Sequence, residues 1–120
     1  WLGCGWLLVA GTVFLSLMPS PPTTEVTIDD KLLHGITYFV LATWFTGIYR
    51  PERYAMVGVA LLALGAVIEL LQAAGGERLG EWFDLLANLT GILLGLGLAR
   101  AGLGGWCLRV ERLLSVTRRV

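Results

Sequence analysis

Four nearly continuous apolar stretches, residues 1–18, 32–49, 54–74 and 82–99, alternate with short polar segments. The first stretch carries no charged residue. The second holds only His34, the third only Glu69 and the fourth only Asp84 as ionisable groups apart from tyrosine and cysteine. Each is about as long as the ~17–25 residues that cross a bilayer as a helix. A soluble domain would alternate its apolar positions to leave one face polar. The pattern therefore predicts an all-α chain, an integral membrane four-helix bundle with short loops and a candidate amphipathic C-terminal helix. The first stretch lacks a basic n-region and an A-x-A-type exit and is read as a retained helix.

The breaks between stretches have local chemistry. Pro19 and the Pro21-Pro22 pair stop the first helix, because proline lacks the N–H that a continuing helix needs. Thr27 or Asp29 is a candidate cap for the second helix. Arg50-Pro51-Glu52-Arg53 reads as a tight turn, and Gly75-Gly76 as the end of the third helix. The fourth helix is expected to start near residues 80–82. The predicted organisation is one four-span unit over residues 1–105 and a basic cytoplasmic tail over 106–120. In that tail Arg109 and Arg112 alternate with Leu108 and Leu113 at amphipathic spacing.

Composition agrees with this pattern. Of the 120 residues 56% are hydrophobic and only 15% charged, and mean hydropathy is +0.73. The net charge is zero, but the basic residues are unevenly placed. Arg50, Arg53, Arg100, Arg109, Arg112, Arg118 and Arg119 make seven of the nine basic residues, and all fall on the side shared by the second loop and the tail. The positive-inside rule then sets both termini in the cytoplasm, in a bacterial cytoplasmic (inner) membrane. Trp1, Trp6, Tyr49, Tyr54 and Trp106 are expected near the inner interface and Trp82 near the outer one. Cys4 and Cys107 read as free thiols. The bilayer is the expected partner, and no nucleic-acid partner is expected.

With this topology, polar residues from three helices meet at one level. Asp30, Lys31 and His34 open the second helix, Glu69 and Gln72 close the third, Arg78 follows in the loop, and Asp84 and Asn88 open the fourth. In hydrocarbon an ionisable side chain costs several kcal/mol unless it is paired. Glu69 is therefore expected to pair with Lys31 or Arg78. Small residues line the same faces: Ala87, Gly91, Gly95 and Ala99 on the fourth helix, Gly58 and Gly65 on the third. Steps of three and four residues stay on one helix face, so the polar groups point toward neighbouring helices.

The order of these short motifs resembles the VanZ-like family, named for a teicoplanin-resistance protein. The matching residues are Ser16-Leu17-Met18-Pro19, Asp30-Lys31-Leu32-Leu33-His34 with Tyr38, and Glu69-Leu70-Leu71-Gln72. They continue with Arg78, Asp84-Leu85-Leu86-Ala87-Asn88 and Gly91. The resemblance implies a small polytopic bacterial membrane protein and does not supply a reaction.

Three functions fit the constellation. In the first, an extracytoplasmic-side pocket of Lys31, His34, Glu69, Gln72, Arg78, Asp84 and Asn88 binds a cell-envelope lipid headgroup or glycan precursor. In the second, the chain is an accessory or scaffold subunit of a larger membrane complex, and the polar groups hold helices together. In the third, it is an enzyme on a lipid-linked substrate, with His34 as acid/base, Asp30 one turn earlier and Glu69 or Asp84 as a second carboxylate. No Ser or Cys has the context of a nucleophile. Carboxylates and one imidazole suit Zn, Mn or Mg, but no dense ligand motif is present, and neither a metal nor another cofactor is expected.

Overall fold

The computed structural model describes residues 1–18, 28–74 and 82–117, which are helical apart from short turns and ends. Helix α1 spans Leu2–Ser16, α2 Ile28–Ile48, α3 Tyr54–Ala74, α4 Trp82–Leu98 and α5 Trp106–Thr117. A single 3₁₀ turn, Pro51–Arg53, joins α2 to α3, with proline at its first position where the missing N–H is not needed. Two helical stretches are long and apolar enough to cross a membrane, Pro51–Ala74 and Trp82–Leu103. The other two differ from expectation. Helix α1 is apolar but ends at Ser16, so its 15 residues rise only about 22 Å. Helix α2 has 21 residues but begins with Asp29, Asp30, Lys31 and His34. The proposed cap residue Thr27, the Gly75-Gly76 break, Arg78, Arg118 and Arg119 lie outside the described residues.

Helix α2 is central, and α4 is its most extensive neighbour. The two run parallel in a fixed register. Lys31 reaches Asp84, His34 reaches Asn88, Gly35 abuts Gly91 and Ala42 abuts Gly95. A Cβ on Gly91 would overlap the carbonyl oxygen of Gly35, and one on Gly95 would lie 2.7 Å from the Ala42 Cβ. The small-residue stripe therefore brings backbone against backbone, so dispersion contacts form along the whole seam. Helix α3 lies antiparallel to α4. Its Gly58 faces Leu96 and Ile92, and its Gly65 faces Asn88 and Tyr38. Helix α1 is antiparallel to α2, with Gly5 against Phe45 and Trp44.

The core runs along these seams as Tyr38, Leu41, Ala42, Phe45, Tyr54, Val57, Leu61, Ile92 and Leu96. Tyr54, expected at an interface, is buried, and its hydroxyl donates to the Thr46 carbonyl at 3.2 Å. The buried ring needs a partner for its polar tip, and the last turns of α2 supply one.

Helix α4 continues as a π-helical extension, Ala99–Leu103, and then turns. Gly102 has φ 123° and Gly105 φ 68°, values that favour glycine. The turn docks on α2 through Gly105 N–H to Thr46 O at 2.9 Å. Arg109, in the basic tail, folds back onto this turn. Its guanidinium donates to the carbonyls of Gly102 and Gly104. These are orphan acceptors at a helix C-terminus, where a cation is favoured. Cys107 is buried, so α5 is joined to the rest by its first turn. Leu108, Leu113 and Leu114 remain exposed along it.

Trp106 fixes that junction. Its indole N–H donates to Thr43 O at 3.1 Å. Its ring meets those of Trp1 and Trp44 edge to face, each at 5.2 Å between centroids. Gly47 leaves the space for the indole, since a Cβ there would overlap the ring nitrogen.

Candidate functional site

The end of the molecule away from the tryptophan cluster collects the polar residues. The parallel seam of α2 and α4 places their first two turns side by side, so residues more than fifty positions apart become neighbours. Lys31 Nζ lies 3.2 Å from Asp84 Oδ1 and forms an ion pair. The same ammonium lies over the Phe83 ring, 5.4 Å from its centroid. Asp84 is 3% exposed and Lys31 28%, so the cation retains solvent contact while the anion does not. A buried carboxylate needs such a partner.

One turn further along, His34 Nδ1 lies 3.3 Å from Asn88 Oδ1. An amide oxygen only accepts, so in this pairing Nδ1 is the donor. Asn88 is 2% exposed. Its Nδ2 is directed toward Gly65, beside the hydroxyl of Tyr38. Gly65 thus leaves room for both groups, and a larger residue would displace them. The Tyr38 hydroxyl is itself buried and makes no hydrogen bond. An unsatisfied hydroxyl in a buried setting is unusual.

Helix α3 contributes from its C-terminal end. Gln72 Nε2 donates to Ser16 O at 2.7 Å and so caps the last turn of α1. Glu69, one turn earlier, lies within electrostatic reach of Tyr38 and is engaged in the network. Of its two expected partners, Lys31 is bonded to Asp84, and Arg78 lies outside the described residues. Asp30, Lys31, His34, Glu69, Gln72, Asp84 and Asn88 all belong to this end of the molecule.

A cavity of about 530 Å³ opens between α1 and α2. Asp30, His34, Tyr38, Gln72, Thr12 and Ser16 line it, together with Leu8, Leu15 and Leu41. Its remaining lining includes Leu7, Leu33, Ile36 and Val40, all exposed on the outer faces of their helices. The space is therefore polar toward the N-terminal end of α2 and apolar along its length. Asp84, Asn88 and Lys31 stand behind it in the α2–α4 seam. They support the site, while Asp30, His34 and Tyr38 border the open space.

Sequence reasoning gave α1 no place in the site. Thr12 and Ser16 are four residues apart and share a face, which is the signal available for them. Tyr38 stands one turn after His34 on the same face, and that step connects it with the site.

Comparison with models of known families, with characterised proteins and with solved structures finds no match for this chain.

Proposed function

We propose that the chain is a multi-pass protein of the bacterial inner membrane, VanZ-like in type. In this reading α1–α4 form a transmembrane bundle, and the cavity between α1 and α2 binds an amphipathic envelope lipid or lipid-linked glycan precursor. The cavity carries the reading, because its chemistry changes along its length. Asp30 suits a headgroup's hydroxyl groups, from which a carboxylate accepts, and His34 and Thr12 add polar contacts beside it. Leu7, Leu33, Ile36 and Val40 suit an acyl or prenyl chain entering from the side. A ligand site that is largely apolar with a few convergent polar groups has the usual character of small-molecule pockets.

The membrane setting is supported by the outward faces. Leu7, Phe14, Val59, Leu70, Trp82 and Phe83 are each at least 66% exposed. Large apolar side chains this exposed on three helices are a liability in water and are natural in lipid. The outer end would be extracytoplasmic, following the arginine bias.

A second reading as an accessory subunit of a larger complex is favoured by the Lys31–Asp84 and His34–Asn88 bonds, which tie helices together. The enzyme reading keeps His34 as its candidate acid/base, since it lines the cavity.

Photocrosslinking separates these readings. A benzophenone amino acid at Leu15, on the cavity, and one at Leu93, on the exposed face of α4, would be compared in vesicles of phosphatidylethanolamine doped with a tagged polyprenyl phosphate. Strong lipid labelling from Leu15, lost when Leu8→Trp fills the cavity, is the expected result. Equal labelling from both positions rejects the binding site. Protein adducts from Leu15 in native membranes, without lipid adducts, support the subunit reading.

A further inference from the structure

We infer that Asp30, His34 and Asp84 form a binding site for one divalent transition-metal ion, zinc in the first instance, with its open coordination positions facing the α1–α2 cavity. One ligand atom from each of the three residues lies within 4.8 Å of the other two. Tetrahedral zinc with bonds of about 2.0–2.1 Å sets its donors about 3.3 Å apart. Closure from the observed spacing requires side-chain rotation by Asp30, which is partly exposed, toward the imidazole held by Asn88.

Three further features point to a ligand. The Asn88 amide oxygen lies 3.3 Å from Nδ1 of His34, and a metal-binding imidazole donates its second N–H to such an acceptor, which leaves Nε2 for the ion. Asn88 is itself buried, so the imidazole is fixed from behind. Tyr38 lines the same cavity, and its hydroxyl, buried beside Gly65, makes no hydrogen bond.

The donor set selects the metal class. One imidazole and two carboxylates suit Zn or Mn better than the all-oxygen preference of Mg or Ca. Lys31 occupies Oδ1 of Asp84, and the second carboxylate oxygen remains for coordination. The linear sequence carries no dense ligand motif because the donors come from two helices and meet only through the α2–α4 register. The metal site does not depend on the cavity holding a lipid.

The test uses tag-free full-length protein in detergent, stripped with chelator and titrated with Zn²⁺ alone. The expected result is one zinc per chain by elemental analysis and calorimetry, with a tetrahedral visible absorption spectrum when Co²⁺ replaces zinc. His34→Gln should weaken binding at least tenfold, and Asn88→Ala about tenfold. Metal-free melting temperatures of His34→Gln and Asp30→Asn are measured alongside, so that a loss of affinity is read only in variants that remain folded. Mn²⁺ binding with the same variant pattern supports the site and changes the metal. Absence of stoichiometric Zn²⁺ and Mn²⁺ binding, or affinity unchanged in both His34→Gln and Asp30→Asn, overturns it.

Discussion

Gly91 lies directly against the carbonyl of Gly35, so α2 and α4 touch backbone to backbone at that level. The two residues belong to separate apolar stretches and define the closest approach of the central helix pair. His34–Asn88 lies just before this contact and Ala42–Gly95 beyond it. The polar network thus depends on a packing contact made by two residues without side chains.

Gly91→Ala should therefore destabilise the protein by about 1–3 kcal/mol, the range for overpacking a tight contact. Gly91→Leu should prevent assembly of α4 on α2. Thermal unfolding in detergent measures both. A Gly91→Leu protein that melts like the wild type would show that the seam can open without loss. Gly97 provides the control, because a Cβ there meets nothing within 4 Å.

Lys31→Ala leaves the buried Asp84 carboxylate without its ion pair. A loss of about 3 kcal/mol is expected, at the low end for breaking a buried pair because Lys31 is partly exposed. The double variant Lys31→Met with Asp84→Asn should recover part of that loss, since it removes the buried charge along with its partner. Denaturant unfolding of the wild type, Lys31→Met, Asp84→Asn and the double variant forms a double-mutant cycle. Additive effects, with no recovery in the double variant, would mean that the pair contributes little.

Helix α5 should detach when its junction is cut. Arg109→Ala removes the cation from the Gly102 and Gly104 carbonyls, and Gly47→Leu evicts the Trp106 indole. Both should raise amide exchange in α5 and leave α2 and α4 protected. Cys107 provides a second readout. It is buried, and burial pushes its thiol up, so less thiolate is present at a given pH. Wild-type Cys107 should react with N-ethylmaleimide much more slowly than the exposed Cys4. The Gly47→Leu protein should bring the two rates together. Slow Cys107 labelling in that variant, with unchanged exchange, would place the anchor elsewhere.

The proposed orientation is tested by single cysteines in a background without Cys4 and Cys107. A cysteine at position 52 should label only after inner-side access, and one at position 77 from the outer side. The reverse pattern would invert the bundle and put the candidate site on the cytoplasmic face.

Much of the helix plan was legible from the apolar runs, because burial without charge over about twenty residues leaves helix as the economical way to satisfy the backbone. Pro51 marked the α2–α3 turn for the same local reason, a missing N–H. The placement of Asp30, His34, Glu69 and Asp84 at one end followed from helix order alone. Three-residue and four-residue spacing also identified the Gly91–Gly95 face. What the sequence could not determine was how each helix is rotated and offset against its neighbours. That offset decides that Lys31 meets Asp84, that Gln72 caps Ser16 and that Arg109 turns back onto the end of α4. It also makes the cavity, because the space beside Asp30, His34 and Tyr38 exists only where α1 stands off from α2. Periodicity along one helix specifies its faces, whereas the partner of each face depends on shape matching between distant segments. Only the tertiary structure determined that matching.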